Sequence, residues 1–190
     1  MNGRRKVRRR GFTLIEALLV IVIMGLVAAF AIPKLRFASY QSNAGARSLA
    51  GLLAQAQRLA VTDQNNVNVI FNLATNSVML HEDANNDNAI QPTERVRTFS
   101  LGDGVAFGLG GAPARVYTPP PITFTHQLNG MPELIFYRDG SASENGAVYL
   151  TSTAALLTAK PQDARSVEVI LATGRPEWYQ YTGSAWVRKF

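Results

Sequence analysis

Asp83, Asn85, Asp87 and Glu94 stand at positions one, three, five and twelve of a single segment, DANNDNAIQPTE. Oxygen donors at that spacing are what a calcium-type loop uses, with the last carboxylate closing the shell. The departure is Asn88, where glycine ordinarily makes the sharp turn. Asparagine is the best substitute, because its short polar side chain tolerates the left-handed region. The flanks read as strands rather than the paired helices of an EF-hand, so a solvated polar loop between two strands is the competing reading. Calcium is the only cofactor that these residues suggest, and none other is expected.

The remaining chemistry is sparse. His81 and His126 are the two histidines, and neither has a metal or catalytic spacing. There is no cysteine, which excludes disulfides, thiolate metal sites and cysteine nucleophiles. Gly108-Leu109-Gly110-Gly111 is not followed by a helical pattern, so it makes a weak phosphate loop. No triad order emerges from the serines and carboxylates. An enzyme is not expected. Arg188-Lys189 and the aromatics Trp178, Tyr179, Tyr181 and Trp186 are the residues that could meet phosphate and stack bases. Glu177 opposes phosphate there, and aromatics at alternating positions more often cover a sheet face. Nucleic acid is therefore not an expected partner.

The net charge of +6 in 190 residues does not change that conclusion. Arg4, Arg5, Lys6, Arg8, Arg9 and Arg10 supply six of the 19 basic residues, leaving 13 against 13 acidic ones from Gly11 onward. A basic cluster ahead of an apolar run is a topology signal that holds the N-terminus in the cytoplasm. Phe12 to Ile32 is that run, 21 residues long, and Pro33 follows it. Three readings compete: a secretory signal with Ala29-Phe30-Ala31 as its cleavage site, a twin-arginine signal around Arg9-Arg10, and a membrane helix that stays. Glu16 separates them, since neither signal peptide has a use for an acid inside its apolar segment.

Gly11-Phe12-Thr13-Leu14-Ile15-Glu16 resembles the type IV pilin-like, or class III, signal. The resemblance implies a dedicated prepilin peptidase that cuts between Gly11 and Phe12 on the cytoplasmic face. It implies N-methylation of Phe12, retention of the apolar helix, and a role in filament assembly for Glu16. The Glu16 carboxylate would meet the free amine of a neighbouring subunit, and a buried charge is tolerated when it is paired. The other reading is a carboxylate snorkelling from a helix end.

Behind the apolar run, residues 34–62 read as a continuing helix. Leu49, Leu52, Leu53, Ala56, Leu59 and Ala60 follow one face of it. A helix with one apolar stripe must lie on something. About ten short strands follow, among them 67–71, 77–82, 95–101, 105–109, 122–127, 133–137, 147–151, 166–172, 178–181 and 185–189. The expected class is α+β: a long N-terminal helix, its first half transmembrane, packed on an antiparallel sheet or sandwich. The expected divisions are a leader at 1–11, a membrane helix at 12–33, the helix continuation at 34–62 and a periplasmic β domain at 63–190.

The Asp139-Gly140-Ser141 turn ahead of a strand, and the later Gly174-Arg175 pair, resemble features of the H-type minor pseudopilins of type II secretion, a family shared with the minor pilins FimT and FimU. That resemblance implies a pilin-like fold and an inner-membrane, single-pass subunit of a periplasmic pseudopilus supporting protein export across the outer membrane. Its partners would be the prepilin peptidase, the major pseudopilin and the tip minor subunits. The alternative is a FimT- or FimU-like minor pilin of a type IV pilus, acting in assembly priming or DNA uptake, for which the resemblance implies Arg175, in Gly174-Arg175-Pro176-Glu177, as the DNA contact.

Overall fold

A computed structural model describes residues 12–31 and 37–190. The leader with Gly11, and Pro33 with its neighbours, lie outside the described residues. Two compact units divide at Arg36.

The first unit contains helix α1, Leu14–Ala31. Its apolar side chains are exposed on every side from Leu14 to Val27. Eighteen residues rise about 27 Å, a little short of the roughly 30 Å hydrocarbon core. Among the described residues, no helix is long and apolar enough to cross a membrane.

The second unit begins with α2, Phe37–Asp63, which buries Ser42, Gly45, Ala46, Leu49, Leu52, Leu53, Ala56 and Ala60. These positions recur at three- and four-residue intervals, so they form one stripe. Ten strands follow: β1 Asn66–Asn72, β2 Ser77–Asp83, β3 Arg95–Ser100, β4 Val105–Phe107, β5 Gln127–Leu128, β6 Met131–Phe136, β7 Gly146–Ser152, β8 Arg165–Val169, β9 Pro176–Tyr181 and β10 Trp186–Lys189. They make two antiparallel five-stranded sheets, ordered β3-β2-β1-β6-β5 and β10-β9-β8-β7-β4. One core joins the α2 stripe to Val67, Val69 and Phe71 of the first sheet and to Val148, Leu150, Val167 and Trp178 of the second. The fold is α+β, with a helix packed on antiparallel sheets.

Two differences from the sequence expectation have physical causes. Ile122 to Gln127 is not a strand: Ile122 makes one isolated bridge to Val148, and Gln127 begins the two-residue β5. There the Glu144 carboxylate takes the amides of Thr125 and His126, which removes them from any ladder. Helix α3, Thr153–Thr158, follows β7. Ser152 caps it by accepting the Ala155 amide, and the Ala-Ala-Leu-Leu run favours helix.

Candidate functional site

At the N-terminus, Thr13 and Glu16 form a reciprocal cap. The Thr13 amide and hydroxyl donate to Glu16 Oε2 at 3.1 and 3.2 Å, and the Glu16 amide donates to Thr13 Oγ1 at 3.3 Å. This is a capping box at the mouth of α1, with a threonine and a glutamate three residues apart. The carboxylate therefore satisfies the helix's own orphan donors, a local role that sequence reasoning missed although T-x-x-E is its signature. Phe12 is exposed just ahead of it.

In the β domain, the 83–94 segment links β2 to β3 and folds back over the outer face of the first sheet. Alternation along β1 and β2 sends Val67, Val69 and Leu80 to the core and leaves Asn68, His81 and Asp83 on the opposite face, all fully or nearly fully buried. The structure brings Asp83, Asp87 and Glu94 together, with one oxygen of each within 4.8 Å of the others. Asp83 accepts the amides of Asp87 and Asn88 at 3.2 and 2.9 Å. Glu94 accepts the Ala84 and Gln91 amides, and His81 Nε2–H donates to it at 2.7 Å. The hydrogen bond from His81 is the main cause that holds the Glu94 carboxyl below the ordinary glutamate value. Asn85, the remaining sequence-predicted ligand, donates to Asp87. Asn88 takes a positive φ of 56°, which fits its place at the turn.

Three residues under this loop were not singled out from the sequence as part of it: Asn68, His81 and Glu133. Asn68 donates to Asn88 Oδ1 at 2.7 Å, and Asn88 donates to Glu133 at 3.2 Å. Burial pushes the Glu133 carboxyl up. His81 could have been found, since a residue two before Asp83 on one strand must share its face.

Arg175 lies elsewhere, exposed beside Gly174. The Glu177 carboxylate near it accepts from Arg188 at 2.6 Å and from the Tyr179 hydroxyl at 2.9 Å. Arg115 ties the 108–121 segment to the second sheet, pairing with Glu168 and lying over the Tyr179 ring. The aromatics of β9 and β10 thus serve packing: the Tyr181 and Trp186 rings meet at 5.3 Å, tilted by 53°, and the Trp186 indole donates to the Pro113 carbonyl. The Gly108–Gly111 run lies against α3, where a Cβ at Gly110 would meet Ala155 at 3.1 Å.

Residues 6–32 match the prokaryotic N-terminal methylation motif. The chain thus carries a prepilin-type N-terminal segment. Its fold is similar to that of the minor pseudopilin EpsH from the type 2 secretion system of Vibrio cholerae, with a TM-score of 0.50, 10% identity, and coverage of 76% of this chain and 99% of that one. A second EpsH structure from the same organism is similar at a TM-score of 0.46 and 14% identity, over 73% of this chain and 92% of that one. No curated protein sequence matches.

Proposed function

We propose that this chain is an H-type minor pseudopilin, a structural subunit rather than an enzyme. The observation that carries the reading is a conjunction: a methylation motif at residues 6–32 and a fold like that of EpsH in one chain. In this reading the prepilin peptidase removes residues 1–11 and Phe12 becomes the methylated N-terminus. The apolar helix holds the subunit in the inner membrane, and the β domain lies in the periplasm. Helix α1 supports this, because a helix that exposes apolar side chains on every side is stable only in lipid or among other helices. An acid in lipid costs about 2.5–3.5 kcal/mol on insertion scales. A neighbour's amine in a filament core relieves that cost. Filament extension would then support export of proteins across the outer membrane.

Glutamine replaces glutamate in a capping box but carries no charge. The Glu16→Gln variant therefore separates the cap from the ion pair. The expected outcome is a mature chain beginning at N-methylated Phe12, inserted normally, whose cross-linking to other pseudopilins falls several-fold in Glu16→Gln. A mature chain beginning at Ile32 would overturn the whole reading. Normal cross-linking of Glu16→Gln would leave Glu16 with the cap alone.

A further inference from the structure

We propose that the 83–94 loop is a calcium-type cation site, with the side chains of Asp83, Asn85, Asp87, Gln91 and Glu94 and the Ala89 carbonyl as its ligands. These residues occupy positions one, three, five, nine, twelve and seven of the loop, the positions from which a twelve-residue calcium loop draws its oxygens. The proposal is independent of the pseudopilin reading.

Charge is the first argument. Asp83, Asp87 and Glu94 converge within 4.8 Å, and among the described residues only Glu94 has a basic side chain for a partner, the His81 imidazole. The neighbouring arginines do not help, since Arg95 and Arg97 both pair with Glu82. In place of a cation, two side-chain amides converge on one oxygen. Asn85 Nδ2 and Gln91 Nε2 donate to Asp87 Oδ2 at 2.8 and 2.6 Å. Turning the Gln91 amide over presents an oxygen where its NH2 stands, and Asn85 does the same at the cost of the bond that its Oδ1 accepts from the Asp87 amide at 3.2 Å. An ion at that point would then be met by positions three, five and nine together. Asp83 already accepts the amides of positions five and six, and each of its oxygens keeps a lone pair for a ligand.

The floor of the loop supplies the second, separate argument. Glu133 and Asn68 are both fully buried, and each is tied to Asn88 of the loop through one polar atom. The other atom of each, Glu133 Oε1 and Asn68 Oδ1, has no hydrogen-bond donor. Buried oxygens without donors are rare in native proteins, and a cation held in the loop above would bring ordered waters able to donate to them. Calcium suits this set better than magnesium, which demands octahedral geometry and keeps its own waters.

The test uses the full chain in detergent micelles, treated with chelator and then exchanged into chelator-free buffer. Titration calorimetry with calcium chloride is expected to give a binding heat with a Kd of roughly 10⁻⁴–10⁻³ M or tighter, the range of extracellular modules. Tm should rise with calcium concentration, as mass action requires of a ligand that binds only the folded state. Magnesium should give a smaller rise. Asp87 is exposed, so Asp87→Asn should still fold, and it should lose the calcium response. Absence of both heat and Tm shift in the wild type at millimolar calcium would overturn the proposal, whatever the variant does. An undiminished response in Asp87→Asn would overturn it as well.

Discussion

At Arg165, a fully buried guanidinium holds the β domain to its helix. It donates to Asn43 and Ser39 of α2 and to the carbonyls of Gln162 and Ala164. Burial pulls it down to about 10, so it remains charged at neutral pH. Arg165→Met should destabilise the folded domain by roughly 2–4 kcal/mol in thermal unfolding, since buried carbonyls lose their donors. A second clasp is acid-sensitive. Burial opposes ionisation of Glu144, but hydrogen bonds from His126 and Thr125 outweigh it and hold its carboxyl below the ordinary 4.5. A depressed carboxyl contributes stability that is complete above the unfolded value and lost as pH falls through the folded one. Glu144→Gln should therefore flatten the fall of Tm below about pH 4.5. An unchanged profile would remove Glu144 from the acid response.

Among the elements, two turns and a helix meet at Gln57. Its side-chain amide donates to the carbonyls of Gly140 and Thr173, at 2.8 and 2.5 Å. Gly174 takes a φ of 59°, and a Cβ there would collide with the Gly140 carbonyl and with Gln57. Gly174→Ala should lower stability by about 3 kcal/mol, because the clash is with backbone and the conformation disfavours any side chain. The same variant with an unchanged Tm would contradict this junction. The Asp139-Gly140 and Gly174-Arg175 pairs, separate signals in the sequence, are thus two halves of one docking point for α2. Sequence reasoning reached both pairs but not their contact, since sequence spacing carries no information about a meeting 34 residues apart. Gly45 works similarly: a Cβ would lie 2.9 Å from Val105, so glycine lets α2 approach β4.

Over the whole molecule, periodicity made the stripe of α2 and nine of the ten strands legible, because alternation and turn residues are local properties. What stayed hidden depended on tertiary capture. Glu144 withdrew the amides of Thr125 and His126 from the ladder, and the floor of the 83–94 loop came from strands distant in sequence. The spacing within that loop was legible, whereas Asn68 and Glu133 beneath it were not. The two ends of the chain make different demands. Helix α1 exposes its apolar residues and needs other molecules around it, while the β domain closes its core on itself. Such a division suits a subunit whose helix builds a filament and whose domain supplies specific contacts. The most direct measurement is a comparison of secreted proteins between cells with this gene and cells from which it has been deleted. The account expects exported proteins to accumulate in the periplasm of the deletion strain, with release restored by the wild-type chain and not by Glu16→Ala. An unchanged set of secreted proteins would contradict a role in secretion and move the chain to a pilus.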